Sequence, residues 1–219
     1  VVLAFLCNAY DEEEITEGNK ITGLTEVTGA GVIVTLTDSK KDISSSLNPS
    51  DLIVHDLDVL SVINELKNAG AVLVGKTVLD ELAMGGTGTT GHTGIVRNPY
   101  DVTREIGGSS AGSAAAVSLG IVPFALGSDT GDSIRKPAAF GGVVGFKPTY
   151  GLVSRYGLFA FASSLDQIGP MTRNVYENAS LLNVLVGKDD KDLTSAVKEK
   201  EDFRRKMNTP VKGLKVAVP

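Results

Sequence analysis

Tryptophan is absent from the 219 residues, cysteine occurs once and histidine twice. The lone Cys7 excludes an internal disulfide and fits a reducing, cytoplasmic or organelle-matrix setting. One cysteine and two histidines cannot build an ordinary zinc site without several carboxylates, so no metal is expected. Positive charge is also short: 21 Lys and Arg stand against 26 Asp and Glu, a net charge of −5 with pI near 5.1. That balance argues against a DNA-binding domain. Long apolar runs are missing too. Val1–Cys7 is short, lacks a basic flank and runs into Asp11–Glu14, so it reads as neither a signal peptide nor a membrane span. The chain begins with Val rather than Met, as a fragment or processed chain would.

What is present is ordinary globular composition, 42% apolar and 21% charged, in a length suited to one domain. Val32–Leu36 reads as a strand. Leu57, Leu60, Ile63 and Leu66 recur at helical spacing up to Asn68-Ala-Gly70, which predicts an amphipathic helix with a glycine cap. Ala71–Val74 follows as a short buried strand, and helix then strand across a tight turn is α/β grammar. Residues 85–152 hold most of the glycines. Within them Ser110–Leu119 is a small-residue helix, and Val122–Leu126 and Gly142–Gly145 are short buried strands. The tail is expected to be helical, amphipathic over Val175–Leu185 and highly charged over Asp189–Lys206.

Several textual motifs compete in the glycine-rich middle. Gly86-Thr-Gly88-Thr-Thr-Gly91 matches the dinucleotide pattern, but no strand leads directly into it and a proline turn follows at Pro99. It reads as a turn-rich loop. In Gly145-Phe-Lys-Pro-Thr a proline follows the lysine, which is not a phosphate-binding loop. Gly108-Ser-Ser-Ala-Gly112 fits a nucleophile elbow at Ser110, yet that chemistry needs a histidine downstream and both His55 and His92 lie upstream. The same order counts against Gly131-Asp-Ser133 as part of a Ser-His-Asp triad.

Without a histidine, a serine nucleophile needs another base, and lysine is the known alternative. Two serine loops, 107–113 and 127–135, flank a helix and a strand in a way that can bring Ser109 and Ser133 together. Glycines beside each serine allow close backbone approach and inward N–H groups. Two tight turns with helix-capping serines would produce the same clusters. Spacing alone does not choose between them.

Longer segments do. GGSSAGSAAAVSLG, PFALGSDTGDSIRKPAAFGGVVGFKPTYGLVSRYGL and FASSLDQIGPMTR resemble the amidase-signature family. VGKTVLDELAMGG, RNPYD and VKGLKVAVP extend the likeness over about residues 56–219, and within the family it is greatest to the A-type subunits of glutamyl-tRNA(Gln) amidotransferases. The resemblance implies an α/β fold with a mixed β-sheet flanked by helices. It is expected here as an incomplete, N-terminal part of one amidase domain over 1–219, with its signature core at 85–173. It also implies Ser133 as the acyl-forming nucleophile and Ser109 as a relay serine after a cis peptide bond. The N–H groups of Thr130, Gly131, Asp132 and Ser133 would form the oxyanion hole. The implied substrate is glutamine, with ammonia passed to B- and C-type subunits that amidate glutamate on tRNA(Gln). ATP and Mg²⁺ would serve the partner, and this chain needs no cofactor. A stand-alone small-amide amidase and a non-catalytic, partner-binding homologue are the rival readings.

The sequence departs from the family pattern at three places. Thr37 stands in the slot expected for the catalytic lysine, which leaves Lys40, with Lys41 beside it, as the candidate base if the loop is reshaped. Asp132 replaces a usual glycine and must turn away from the oxyanion or pair with Arg135 or Lys136. Ala111 replaces a second glycine.

Overall fold

The computed structural model describes residues 2–7 (backbone only), 61–197, 199–213 and 215. Val32–Leu36, Thr37, Lys40, Lys41, Leu57 and Leu60 lie outside the described residues.

Strand β1 (Val2–Cys7) is followed, among the described residues, by helix α1 (Ser61–Asn68) and strand β2 (Ala71–Thr77). A short hairpin pairs β3 (Arg97–Asn98) with β4 (Asp101–Glu105). Helix α2 (Ala111–Ser118), strand β5 (Phe124–Asp129), helix α3 (Arg135–Phe140) and strand β6 (Val144–Gly145) make the glycine-rich centre. Strand β7 (Gln167–Thr172) and helix α4 (Val175–Leu185) follow. The main sheet runs β2-β1-β5-β7-β6, and each described pair is antiparallel.

Strand periodicity explains the layers. Phe124 and Leu126 of β5 and Ile168 of β7 join Val62, Ile63 and Leu66 of α1 and Leu182 and Leu185 of α4 in one core. Ala125 and Met171, one position out of phase, face α2 in a second core with Val74 and Ile106. Helices therefore cover both faces of the sheet, which is the α/β arrangement expected. Burying a side chain such as Ile63, which is 0% exposed, contributes about 1.5–3 kcal/mol.

Helix α2 is hidden from Ala111 to Val117 because Ala, Gly and Ser keep its surface thin. Ser113 Oγ, 2.9 Å from Leu126 O, donates to that carbonyl on β5, and it lies 2.9 Å from Thr77 Oγ1 of β2. Helix α1 closes at Gly70, whose φ of 89° only glycine adopts cheaply, as the sequence suggests. Helix α4 matches its expected span. Its N-cap Asn174 side chain accepts the Glu177 N–H at 2.9 Å, and the Glu177 side chain accepts the N–H of the preceding Arg173 at 3.2 Å.

The charged tail differs from expectation. Among the described residues of 189–206 the backbone forms turns instead of a helix. Asp189, Asp192 and Asp202 each accept the N–H two residues on, from Lys191, Thr194 and Arg204. Such local bonds compete with helical ones.

Candidate functional site

The site grows from the C-terminal end of β5 and the N-terminal end of α2. Ser109 and Ser110 lie immediately before α2 and Ser133 lies in the turn from β5 to α3. The Ser110 N–H donates to the Ser133 carbonyl at 3.0 Å, and the Ser110 hydroxyl to the Ser128 carbonyl at 3.3 Å. The two serine loops, 24 residues apart in sequence, are thereby seated against each other. Ser109 is 0% exposed and Ser133 7%. The Gly108–Ser109 peptide is cis. Ser109 Oγ has no hydrogen-bond partner among the described residues, so no described lysine is bonded to it.

Asp129 shapes the second loop. Its fully buried carboxylate accepts the Ile134 N–H at 2.9 Å and the Arg135 N–H at 3.3 Å, with Arg135 Nε at 3.1 Å and Nη2 at 3.2 Å. Arg135 also donates to the Gly131 carbonyl. Thr130 Oγ1 donates to Asp166, whose other oxygen accepts the Phe161 and Ala162 N–H groups at 2.9 and 3.0 Å. The backbone donors that hold this turn are Ser110, Ile134, Arg135 and Lys136. The N–H groups of Thr130 to Ser133 take no part in those bonds among the described residues. Asp132 is paired as its sequence position requires. Lys136 Nζ lies 2.6 Å from its carboxylate, while Arg135 is committed to Asp129.

The first loop rests on Asp80, which lies in the matched segment VGKTVLDELAMGG but was not among the expected site residues. Asp80 is 0% exposed. Its carboxylate accepts the N–H groups of Thr87, Gly88 and Thr90 at 3.2, 2.9 and 3.0 Å, and the Thr90 hydroxyl at 2.9 Å. The glycine-rich run 86–91 thus wraps around the protein's own carboxylate, and its likeness to a phosphate cradle has a structural meaning. Gly108 approaches so closely that a Cβ there would overlap the Asp80 carboxylate. Within that segment, the local signal is a carboxylate just after the buried strand segment and just before a glycine run.

The comparisons with known proteins agree with this geometry. A family model described as Amidase matches residues 60–219. The chain belongs to the amidase family. A second model, a bacterial protein of unknown function (DUF881), matches residues 14–75, the stretch that holds Thr37 and Lys40. The A-type glutamyl-tRNA(Gln) amidotransferase chain of Persephonella marina is 58% identical over 159 residues, covering 73% of this chain and 33% of the relative. That of Enterococcus faecalis is 46% identical over 219 residues, 98% of this chain and 43% of its own length. The chain therefore spans about a third to two fifths of these curated relatives. Among solved structures, the corresponding amidotransferase chain from Thermotoga maritima superposes with a TM-score of 0.63 at 56% identity, covering 64% of this chain and 31% of that one. A peptide amidase in complex with chymostatin gives 0.62 at 40% identity, over 66% and 31%. A peptide amidase and a tRNA-dependent amidotransferase chain thus both share this part of the fold. Among the described residues no helix is long and apolar enough to cross a membrane.

Proposed function

We propose that this chain carries the serine centre of a glutamine-hydrolysing amidase, the A-type subunit of a glutamyl-tRNA(Gln) amidotransferase. Ser133 Oγ attacks the side-chain amide carbon of glutamine. The oxygen–carbon bond forms, the carbon–nitrogen bond breaks, and the serine proton leaves with the ammonia by way of Ser109. Water then cleaves the acyl ester, giving glutamate and free Ser133. The N–H groups of Thr130, Gly131, Asp132 and Ser133 face the developing oxyanion, where losing one donor typically costs about 10²–10³ in rate. Lys40 is the base assigned to the relay. Ammonia passes to B- and C-type subunits that use ATP and Mg²⁺ to amidate glutamate on tRNA(Gln), in the cytoplasm or an organelle matrix.

The observation that carries this reading is the Ser110 N–H bond to the Ser133 carbonyl, which seats both serine loops together beside a buried Ser109 hydroxyl that has no partner among the described residues. The test is glutamate and ammonia release from glutamine, together with fluorophosphonate labelling, for this chain and for Ser133→Ala. Labelling that Ser133→Ala abolishes supports the reading. A folded chain that is inert to glutamine, simple amides and the probe sinks it.

A second reading has its own observation. Thr37 and Lys40 lie in the stretch matched by the second family model, and Ser109 Oγ has no described partner. A homologue that only binds partner subunits would then be inert to the probe yet co-purify with a B-type subunit. Release of ammonia from simple amides without any partner would instead favour a stand-alone amidase.

A further inference from the structure

Asp132 places a carboxylate one residue before the nucleophile assigned above, in the loop whose N–H groups are assigned to the oxyanion. Unpaired, that charge would oppose negative charge developing on the substrate oxygen. Lys136 stands one helical turn later. Its N–H donates to the Asp132 carbonyl at 2.8 Å, and its Nζ lies 2.6 Å from Asp132 Oδ2. The rest of the lysine is placed with equal economy. Its stem runs along the serine-bearing loop, so that a Cβ on Gly107 would lie 3.2 Å from Lys136 Cγ. Its ammonium reaches the glycine run around Asp80, where a Cβ on Gly86 would lie 2.9 Å from Nζ. The lysine thus lies against both glycine segments while its ammonium is paired with the aspartate.

We infer that Lys136 is a positioning residue for acyl transfer: it neutralises Asp132 and holds its carboxylate away from the oxyanion formed beside Ser133. This rests on the serine-amidase reading. Both side chains are partly open to solvent, 34% for Lys136 and 48% for Asp132, so screening limits the effect to a modest one. Lys136 serves Asp132 rather than the relay, since Ser109 Oγ makes no hydrogen bond to it.

The experiment measures the rate of fluorophosphonate labelling of the full chain as wild type, Lys136→Gln, Asp132→Gly and the double variant, with Ser133→Ala as blank. Thermal unfolding of each variant shows whether it is folded. Lys136→Gln is expected to slow labelling on the order of tenfold. In the Asp132→Gly background the same substitution should change the rate by less than about twofold. A penalty that persists there means the ammonium acts on its own, and overturns the inference. So does a Lys136→Gln chain that labels like wild type, or one that is simply unfolded while the double variant is unfolded as well. A silent wild type with a reactive Asp132→Gly chain also overturns it, but leaves the serine-amidase reading standing. Silence in all four chains removes that reading and this inference together.

Discussion

The backbone N–H of Asp80 donates to the carbonyl oxygen of Ser109 at 3.0 Å, while the carboxylate of the same aspartate gathers Thr87, Gly88 and Thr90. One residue therefore fixes the Ser109 loop from its backbone and the opposing glycine loop from its side chain. Asp80→Ala leaves several buried donors without an acceptor, a loss of about 3–5 kcal/mol for a buried charged partner. Asp80→Asn keeps the shape but turns an NH₂ group toward N–H donors, so it should lose a large part of the same stability. Urea denaturation of both variants checks this. Asp80→Asn as stable as wild type would show that the carboxylate charge is not needed.

Asp129 and Arg135 form a pair of unequal members, and the inequality is measurable. Asp129 is fully buried and accepts two backbone N–H groups besides the guanidinium, whereas the Arg135 side chain is 49% exposed. Asp129→Ala strands those N–H groups and should cost about 2–4 kcal/mol. Arg135→Met removes a half-exposed cation but leaves the buried Asp129 carboxylate to its backbone N–H partners alone, and should cost less than Asp129→Ala, about 1–2 kcal/mol. Equal losses in the two variants would mean that the ion pair, not the backbone capping, holds the loop between β5 and α3.

How much of this was legible in the sequence depends on what each residue's role leaves in the text. Helix α4 was readable because Asn174 and Glu177 cap it locally and Leu182 and Leu185 repeat at helical spacing. Helix α2 was readable from its small residues, and the meeting of the two serine loops from their placement around a helix and a strand. The role of Asp80 was not, although the residue lies in a matched segment, because all its partners but the Thr90 hydroxyl are backbone N–H groups, which any residue type but proline supplies and no spacing rule marks. The turns in 189–206 were missed for a related reason: charge density suggested a solvated helix, while Asp189, Asp192 and Asp202 bond to nearby backbone. The Asp132–Lys136 pair lay between these cases. A need for a cation was legible, and the fold chose Lys136 by committing Arg135 to Asp129.

Those same turns give the chain an acid-sensitive strap. Burial pushes the Asp192 carboxyl up, but the Arg155 N–H and the Thr194 hydroxyl and N–H outweigh it, so the group is held below the ordinary carboxylate range. Burial likewise pushes Asp189 up, and Ser154, Ser61 and Lys191 bring it lower on balance. A carboxyl lowered in the folded state contributes stability that is present above its unfolded pKa and lost as pH falls through the folded one. Wild type should therefore lose stability progressively below about pH 4. Asp192→Asn should be less stable than wild type at neutral pH and fall less steeply in acid. Thermal unfolding followed from about pH 7 to about pH 3 checks this, and parallel acid limbs would remove Asp192 from the account.

Ser109 separates stability from activity most sharply. Its hydroxyl is completely buried and has no partner among the described residues, so the fold bears a desolvation cost there. Ser109→Ala removes the hydroxyl without leaving a new donor or acceptor unpaired, and the freed volume is a single oxygen. Stability should rise by about 0.5–1 kcal/mol, the reverse of the usual effect of a buried substitution. If Ser109 relays the proton of Ser133, fluorophosphonate labelling should fall by about 10²-fold or more in the same variant, a scale typical of losing a positioned proton-transfer group. Urea denaturation and labelling kinetics on one preparation give both numbers. A variant that is less stable and still reactive would mean that the Ser109 hydroxyl serves the fold and not the chemistry.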